Sequence, residues 1–318
     1  MALNDRGPVL VTGAGGFVGG WMIRHLVGLG CEVVAGVHAK RHDIALGVPT
    51  EVFDLDDPSS IYSVLERVRP DRIVHLAGLA SPHIANSRPE AAHRVNFLGS
   101  LRLLEACRAL GTRPNVLLVG SATVYGKVRP EELPLKEERV ARPADHYSLS
   151  KVAQESLAPL YEDSFPVVVA RPFNHTGPGQ GRDFALPAFA AQIARIEAGH
   201  QEPVIHVGDL SARRDYLHVK DVVSAYAVLL DRAVPGVYNV CSGCSETMAW
   251  WLDRLVERAR VPVLIETDPD RVFAQGNPRL EGDNSRLKAL GWLPGSDASE
   301  VVDDLLDHWR QRISAEDE

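Results

Sequence analysis

A tyrosine and a lysine stand four residues apart in Tyr147-Ser148-Leu149-Ser150-Lys151, a spacing that puts both side chains on one face of a helix. The chemistry this pair suits is proton transfer. A free phenol has a pKa of about 10 and exchanges protons poorly at neutral pH, and a neighbouring ammonium favours the phenolate by about 1.4 kcal/mol for each unit of depression. Upstream, Ser121 in Gly120-Ser121-Ala122-Thr123-Val124-Tyr125-Gly126 carries a hydroxyl able to donate a hydrogen bond to a carbonyl or alkoxide oxygen. Taken alone, a Tyr-to-Lys spacing of four arises by chance in many helices, and Ser121 could simply cap a turn. A third feature gives them meaning.

That feature is Thr12-Gly13-Ala14-Gly15-Gly16-Phe17-Val18-Gly19, which follows a strand-like run and opens a segment of helical period. Glycines at 13, 16 and 19 permit a tight turn, let backbone N–H groups approach a pyrophosphate and let helix and strand pack closely. With about 30 residues to the next strand, the arrangement reads as a dinucleotide site rather than a bare turn. An NAD-preferring protein usually carries an acid at the end of its second strand. Here that strand ends Ala35-Gly36-Val37, followed by His38, Lys40 and Arg41, cations suited to a 2′-phosphate. NADP(H) is therefore favoured over NAD(H), the alternative being that these are solvated loop cations. Asp54 and Leu55, after the third strand, are placed to meet the adenine edge.

These groups need a scaffold, and the chain supplies an alternating one. Short β-branched runs at 9–12, 32–37, 51–53, 72–76, 115–120 and 166–170 read as strands, with helices expected over 16–29, 58–67, 89–110 and 147–164. Strand and helix in alternation mean an α/β fold of Rossmann type, a doubly wound parallel sheet with helices on both faces. Beyond residue 171 the rhythm changes to Gly- and Pro-rich loops, with helices expected at 186–199, 219–231, 247–259 and 299–313 and strands at 204–207, 237–240 and 263–266. The division expected is a dinucleotide-binding domain over 1–171, with a return segment near 212–240, and a smaller substrate lobe over 172–318. The cleft between them is the expected substrate site.

Composition narrows the classes. Of 318 residues, 45% are hydrophobic and 24% charged, the makeup of a globular chain. Lys and Arg number 34 against 42 Asp and Glu, a net charge of −8 that argues against a nucleic-acid partner. No apolar run is long enough to span a bilayer, and the opening MALNDRGPVL lacks a signal-peptide core, so no membrane association and a cytoplasmic location are expected. Four scattered cysteines make no disulfide framework, and Cys241-Ser242-Gly243-Cys244 lacks the second ligand pair of a zinc site. His75, His83, His93 and His175 show no metal-ligand spacing either, and no metal is expected.

In this order, the glycine loop, His75-Leu76-Ala77, Val95-Asn96, Ser121, Tyr147 to Lys151, Arg171-Pro172, Arg214-Asp215-Tyr216 and His218-Val219-Lys220-Asp221 resemble the extended short-chain dehydrogenase/reductase family, over Leu10 to about Arg310. Within it, Arg171-Pro172-Phe173-Asn174-His175-Thr176-Gly177-Pro178-Gly179-Gln180, Val237 to Gly243 and Gly282-Asp283-Asn284 are similar to the GDP-4-keto-6-deoxy-D-mannose reductases. The resemblance implies NADP(H)-dependent reduction of a 4-keto sugar on a nucleotide. Tyr147 would be the proton donor to the C4 oxygen, Lys151 would hold the nicotinamide ribose and depress the tyrosine pKa, and Ser121 would polarise the carbonyl. It further implies Gly13, Gly16, Phe17, Val18, Gly19, Leu76, Ala77, Gly78, Asn96 and Arg171 as cofactor contacts, and Thr123, Asn174, Arg214 and Arg279 as substrate contacts. Asn96 could equally be a buried residue that ties the site's loops together. Dimers, or dimers of dimers, built on helices 89–110 and 147–164 are also implied.

One departure concerns the nucleotide end: where relatives place an arginine, nine residues before Gly282, this chain has Phe273, flanked by Arg271 and Arg279, and either of these two is a candidate to replace it at the phosphates. Another concerns Thr123, where related 4,6-dehydratases carry a Glu for elimination. A 4-epimerase with tightly bound NAD, and a dinucleotide-sensing protein without catalysis, are the competing readings. Turnover separates them: a reductase consumes NADPH stoichiometrically, an epimerase needs none, and a sensor binds without reacting.

Overall fold

Residues 7–38, 47–268 and 277–315 are described by the computed structural model. The β-branched runs become strands, largely buried on both faces except at the edge strand β3: β1 (Val9–Thr12), β2 (Val33–Val37), β3 (Thr50–Val52), β4 (Arg72–His75), β5 (Asn115–Val119) and β6 (Val167–Pro172). Then follow β7 (Asn174–Thr176), β8 (Val204–Val207), β9 (Arg213–Arg214), β10 (Tyr216–His218), β11 (Gly236–Val240), β12 (Glu246–Thr247), β13 (Leu264–Thr267) and β14 (Arg279–Leu280). Seven form one parallel sheet in the order β11-β6-β5-β4-β1-β2-β3. The order runs one way from β1 through β2 and the other way from β4, so a crevice opens beyond the carboxyl ends of β1 and β4, where such sheets bind ligands.

The two-residue period of β1 sorts its side chains into two cores. Val9 and Val11 join a cluster with Met22, Ile23 and Leu26 of α1 (Phe17–Gly28) and with Val222, Tyr226 and Leu229. Leu10 faces the other way, onto Ile61, Val64 and Leu65 of α2 (Pro58–Val68) and Leu103 and Leu104. The remaining helices in chain order are α3 (Pro82–Ser87), α4 (Pro89–Ala92), α5 (Gly99–Ala109), α6 (His146–Glu155), α7 (Ala185–Glu197), α8 (Val219–Arg232), α9 (Met248–Val256), α10 (Ser285–Ala289) and α11 (Ala298–Ser314). Helices α7, α9 and α11 build a separate apolar cluster around Phe189, Ile193, Trp251, Leu252, Leu305 and Trp309. Small pairings, β10 with β7 and β9 between β12 and β14, connect that part to the sheet's carboxyl edge.

Two helices read as continuous are interrupted, each for a local reason. The 89–110 segment passes through a π-helical turn at His93–Leu98, which brings Asn96 inward; its Oδ1 accepts from the Leu79 backbone N–H at 2.8 Å and its Nδ2 donates to Ser150 Oγ at 2.9 Å. Such bulges commonly serve a site. The 147–164 segment ends its α-helix at Glu155 and continues as a 3₁₀ turn at Ala158–Tyr161, because Pro159 has no N–H to continue the ladder. Helix α3 was not anticipated; Ser81 caps it and Pro82 opens it.

Candidate active site

The glycine loop is built so that side chains are excluded. Gly13 has φ +69°, and a Cβ there would lie 2.7 Å from the Ala77 backbone nitrogen. A Cβ on Gly19 would lie 2.7 Å from Ala14 Cα and press on the Gly13 carbonyl. The first turn of α1 therefore seats against both β1 and the loop after β4. Gly16, its N-cap, offers no side-chain acceptor, so the first-turn N–H groups are left for an anion.

Above this loop lies a cavity of about 820 Å³, large enough for a dinucleotide and part of a second ligand. One end is lined by Gly13, Gly16, Phe17, Val18 and Gly19 with His38, Asp54 and Leu55; Leu76, Ala77 and Gly78 line the middle. Ser121, Thr123, Tyr147, Lys151 and Asn174 line the other end. His38 Nε2 stands 3.8 Å from Asp54 Oδ1. Lys40 and Arg41, named for the 2′-phosphate, lie outside the described residues, as do Arg271 and Phe273.

Helix α6 begins at Asp145, whose carboxylate accepts from the Ser148 N–H at 2.7 Å; this cap fixes the register that turns Tyr147 and Lys151 to the cavity. Ser121, just past β5, accepts from the Thr123 N–H at 3.2 Å and from Thr123 Oγ1 at 2.9 Å. With both lone pairs engaged, its own proton is free to point at a ligand. Lys151 Nζ donates to the Val119 carbonyl and to Gln154 Oε1, each at 2.9 Å. Burial pushes Lys151 down to about 8. Burial also pushes the Tyr147 phenol up, with the Ser121 hydroxyl pulling the other way. The expected depression of Tyr147 by Lys151 is thus not what the protein alone displays: the ammonium is turned to Val119 and Gln154, and desolvation dominates the phenol.

Three arginines and one asparagine expected at the ligand are placed elsewhere. Arg171 is buried behind the site, bidentate to Glu155 at 2.9 and 2.7 Å, with its guanidinium 4.9 Å from the centre of the Tyr125 ring. A position on β6 that points away from the crevice accounts for this, and the expected cofactor contact becomes a structural ion pair. Arg214 donates to the backbone carbonyls of Arg213 and Asn277, both at 2.8 Å. Arg279 is held by Glu281 at 2.7 Å and by Ser245 at 3.2 Å. Neither reaches the cavity wall, so the diphosphate-binding cations are not assembled by these two. Asn96 tethers the loop at Leu79 to α6, the second of its two readings.

One residue of the wall, Tyr226, carried no signal in the sequence. Tyr226, a core residue by its helical period, reaches the cavity from α8, and Phe17 stacks on His175 at 6.2 Å between ring centres. Asp215, read only as a landmark, is a buried tether that accepts from the Ser242 N–H and hydroxyl, the Gly243 N–H and the Gly282 N–H, at 2.8, 2.7, 3.0 and 3.3 Å. Burial raises it to about 6 in spite of these donors. Cys241 is buried and Cys244 exposed, both free. Among the described residues no cluster of three His, Cys, Asp or Glu could hold a metal, and no helix is long and apolar enough to cross a membrane.

A parallel doubly wound sheet, a glycine cradle over its switch point and a Ser, Tyr and Lys at one cavity wall define a dinucleotide-dependent α/β protein. Residues 9–241 match the NAD dependent epimerase/dehydratase family, and the chain belongs to it. A GDP-6-deoxy-D-mannose reductase of Pseudomonas aeruginosa is 36% identical over 97% of this chain and 99% of its own. A GDP-6-deoxy-D-talose 4-dehydrogenase of Aggregatibacter actinomycetemcomitans is 29% identical over 88% of this chain and 89% of its own. Among solved structures, RMD from Pseudomonas aeruginosa complexed with NADPH superposes with a TM-score of 0.85 at 34% identity, covering 96% of this chain and 100% of that one. A Thermus thermophilus UDP-glucose 4-epimerase complexed with NAD gives 0.85 at 29% identity, covering 95% and 99%.

Proposed function

We propose that this protein reduces the C4 keto group of a nucleotide-linked 4-keto-6-deoxy sugar, GDP-4-keto-6-deoxy-D-mannose in the first instance, with NADP(H). The observation that carries the reading is that Ser121, Tyr147 and Lys151 share one cavity with the glycine cradle. The cradle fits a dinucleotide, since Gly13 and Gly19 let α1 seat closely on the loop and on the turn after β4, and the uncapped first-turn N–H groups of α1 are left for a pyrophosphate. NAD(H) fits the same groups, and His38, Lys40 and Arg41 favour the phosphorylated form. In this reading residues 1–171, with the return near 212–240, hold the dinucleotide and 172–318 mainly hold the nucleotide sugar.

Reduced nicotinamide, when bound, supplies a hydride. The chain supplies the rest. Ser121, with Thr123 filling its lone pairs, donates a hydrogen bond to the C4 oxygen and stabilises the negative charge that grows there. Tyr147, a phenol held protonated by burial, gives that oxygen its proton. Lys151 presents its remaining N–H to the ribose side and offsets the phenolate left on Tyr147. Asn174 contacts the sugar nucleotide from β7. Thr123 has no carboxyl group, so C5 proton removal and loss of a C6 hydroxyl, as in a dehydratase, lack a base here.

The protein's reading as a cytoplasmic homodimer, or a dimer of dimers, goes with this. Both ligands are too highly charged to cross a membrane unaided. Leu98, Leu149 and Leu160 are exposed at 39%, 44% and 75% on neighbouring segments that a four-helix bundle would cover.

The decisive experiment supplies GDP-4-keto-6-deoxy-D-mannose and NADPH deuterated at the transferable position. Stoichiometric NADPH loss with deuterium at C4, and no enzyme-dependent deuterium at C5 or C6 in heavy water, is expected. Interconversion of nucleotide sugars at C4 without net NADPH loss would establish the second reading, a 4-epimerase, which the likeness to the Thermus thermophilus enzyme supports. Keto sugar formed from GDP-mannose would overturn the role given to Thr123.

A further inference from the structure

The ammonium of Lys151 is enclosed, and its surroundings take two of its three protons. The Val119 carbonyl takes one and Gln154 Oε1 a second, both at 2.9 Å, which leaves one N–H with no acceptor in the protein. Gln154 is itself 1% exposed, and its Nε2 has no hydrogen-bond partner. An amide that leaves its donor unsatisfied in a buried site does so at a cost. Turning the amide over would not relieve it, since the NH₂ would then face the ammonium. The orientation is therefore set by Lys151.

We propose that Gln154 is the positioning residue for Lys151: it holds the ammonium by a neutral acceptor and thereby aims the remaining N–H at the bound dinucleotide. This rests on the dinucleotide-dependent reading above. The neutrality matters as much as the contact. Glu155, the next residue along α6, is engaged by Arg171, so its charge is spent there. Across from the lysine, His75 on β4 is kept uncharged at about 3 by burial and by Lys151 itself, with its ring nitrogens on Thr12 and Ser100. From the π-helical turn comes Asn96, with its partner Ser150 of α6, both neutral, and from the loop after β4 comes Gly78, where an added Cβ would lie 3.8 Å from Nζ. On the lysine's own helix stands the Tyr147 phenol. A carboxylate at 154 would instead pair with the ammonium and cancel its field at the phenol and at the dinucleotide.

Burial already brings Lys151 to about 8, so the loss of one acceptor falls in a measurable range. Binding of NADPH alone, without sugar, is titrated by fluorescence from pH 6 to 9 on the full chain. In the wild type, affinity weakens as pH rises through about 8, because only the charged lysine donates in this way. In Gln154→Leu the midpoint moves about one pH unit toward acid, as a hydrogen bond to a charged group is lost. At pH 8 the charged fraction then falls from about one half to about one tenth, and Kd rises about fivefold, while at pH 6 it stays within about twofold. Gln154→Glu moves the midpoint the other way, so that affinity is flat to pH 9, and turnover drops because the field is cancelled. Unshifted midpoints in both variants, each with a wild-type near-UV circular dichroism spectrum, would overturn the proposal. If Gln154→Leu fails to fold, the Gln154→Glu midpoint decides alone. A wild-type protein that binds neither NADPH nor NADH overturns the functional reading, and this inference with it; binding without dependence on residue 154 overturns this inference only.

Discussion

Replacing Glu155 by Gln keeps the shape of the side chain and removes the charge that Arg171 is paired with. The two side chains are 9% and 6% exposed, and the pair is bidentate at 2.9 and 2.7 Å. Although burial pulls the other way, Glu155 holds the guanidinium above its usual range, so the arginine stays charged after the substitution. Leaving a buried charge uncompensated costs about 3–5 kcal/mol. Unfolding entropy of about 2.1 cal/mol/K per residue, over 318 residues, is roughly 0.7 kcal/mol per degree, so Tm should fall by about 4–7 °C. Differential scanning calorimetry measures this directly. Substituting both partners, Glu155→Leu with Arg171→Met, should recover most of the loss, because an apolar pair of similar volume carries no desolvation penalty. NADPH affinity below the transition should stay within about threefold of wild type, since Arg171 does not line the cavity. A stability loss under about 1 kcal/mol, or an NADPH Kd raised more than tenfold in a variant that keeps its Tm, would refute the structural assignment of Arg171 and return it to the cofactor.

Tyr147→Phe should lower turnover by about 10²–10⁴ and leave NADPH affinity nearly unchanged, the range for loss of a positioned proton donor; near-normal turnover would require another proton source. Gly19→Ala should abolish measurable NADPH binding and destabilise the protein by about 1–3 kcal/mol, because its Cβ has no room against Ala14 and the Gly13 carbonyl; a variant that binds normally would show that α1 can shift away from β1. Arg41→Ala should weaken NADPH by about 1–3 kcal/mol and NADH hardly at all, as measured by paired titrations; equal losses for both would remove Arg41 from the 2′-phosphate.

Much of the site was legible because its chemistry is local. A Tyr and a Lys four apart share a helix face wherever the helix goes, and three glycines between a strand and a helix define their own turn. The sheet was legible too, since strands buried on both faces are written as uninterrupted β-branched runs, and β1 and β4 fall within a residue of where those runs stand. Helix interruptions were harder: Pro159 is visible in the sequence, but the π-helical turn at His93–Leu98 is justified only by what Asn96 reaches across the fold.

What the amino-acid sequence determined by itself was the fold class, the family's landmarks and the candidacy of Ser121, Tyr147 and Lys151, because each depends on spacing along one element or one turn. What the tertiary structure decided was where each long cation ends. Arg171, Arg214 and Arg279 look alike in a sequence, yet a guanidinium goes to whichever carboxylate, carbonyl or hydroxyl lies within reach, and the distant partners, Glu155, Asn277 and Ser245, are chosen by the packing of separate elements. The same holds for Gln154, an ordinary helix residue until β5 and α6 close around the ammonium it holds. Spacing encodes which groups share a face; only the folded chain sets the distance and the desolvation that decide their charge and their partners.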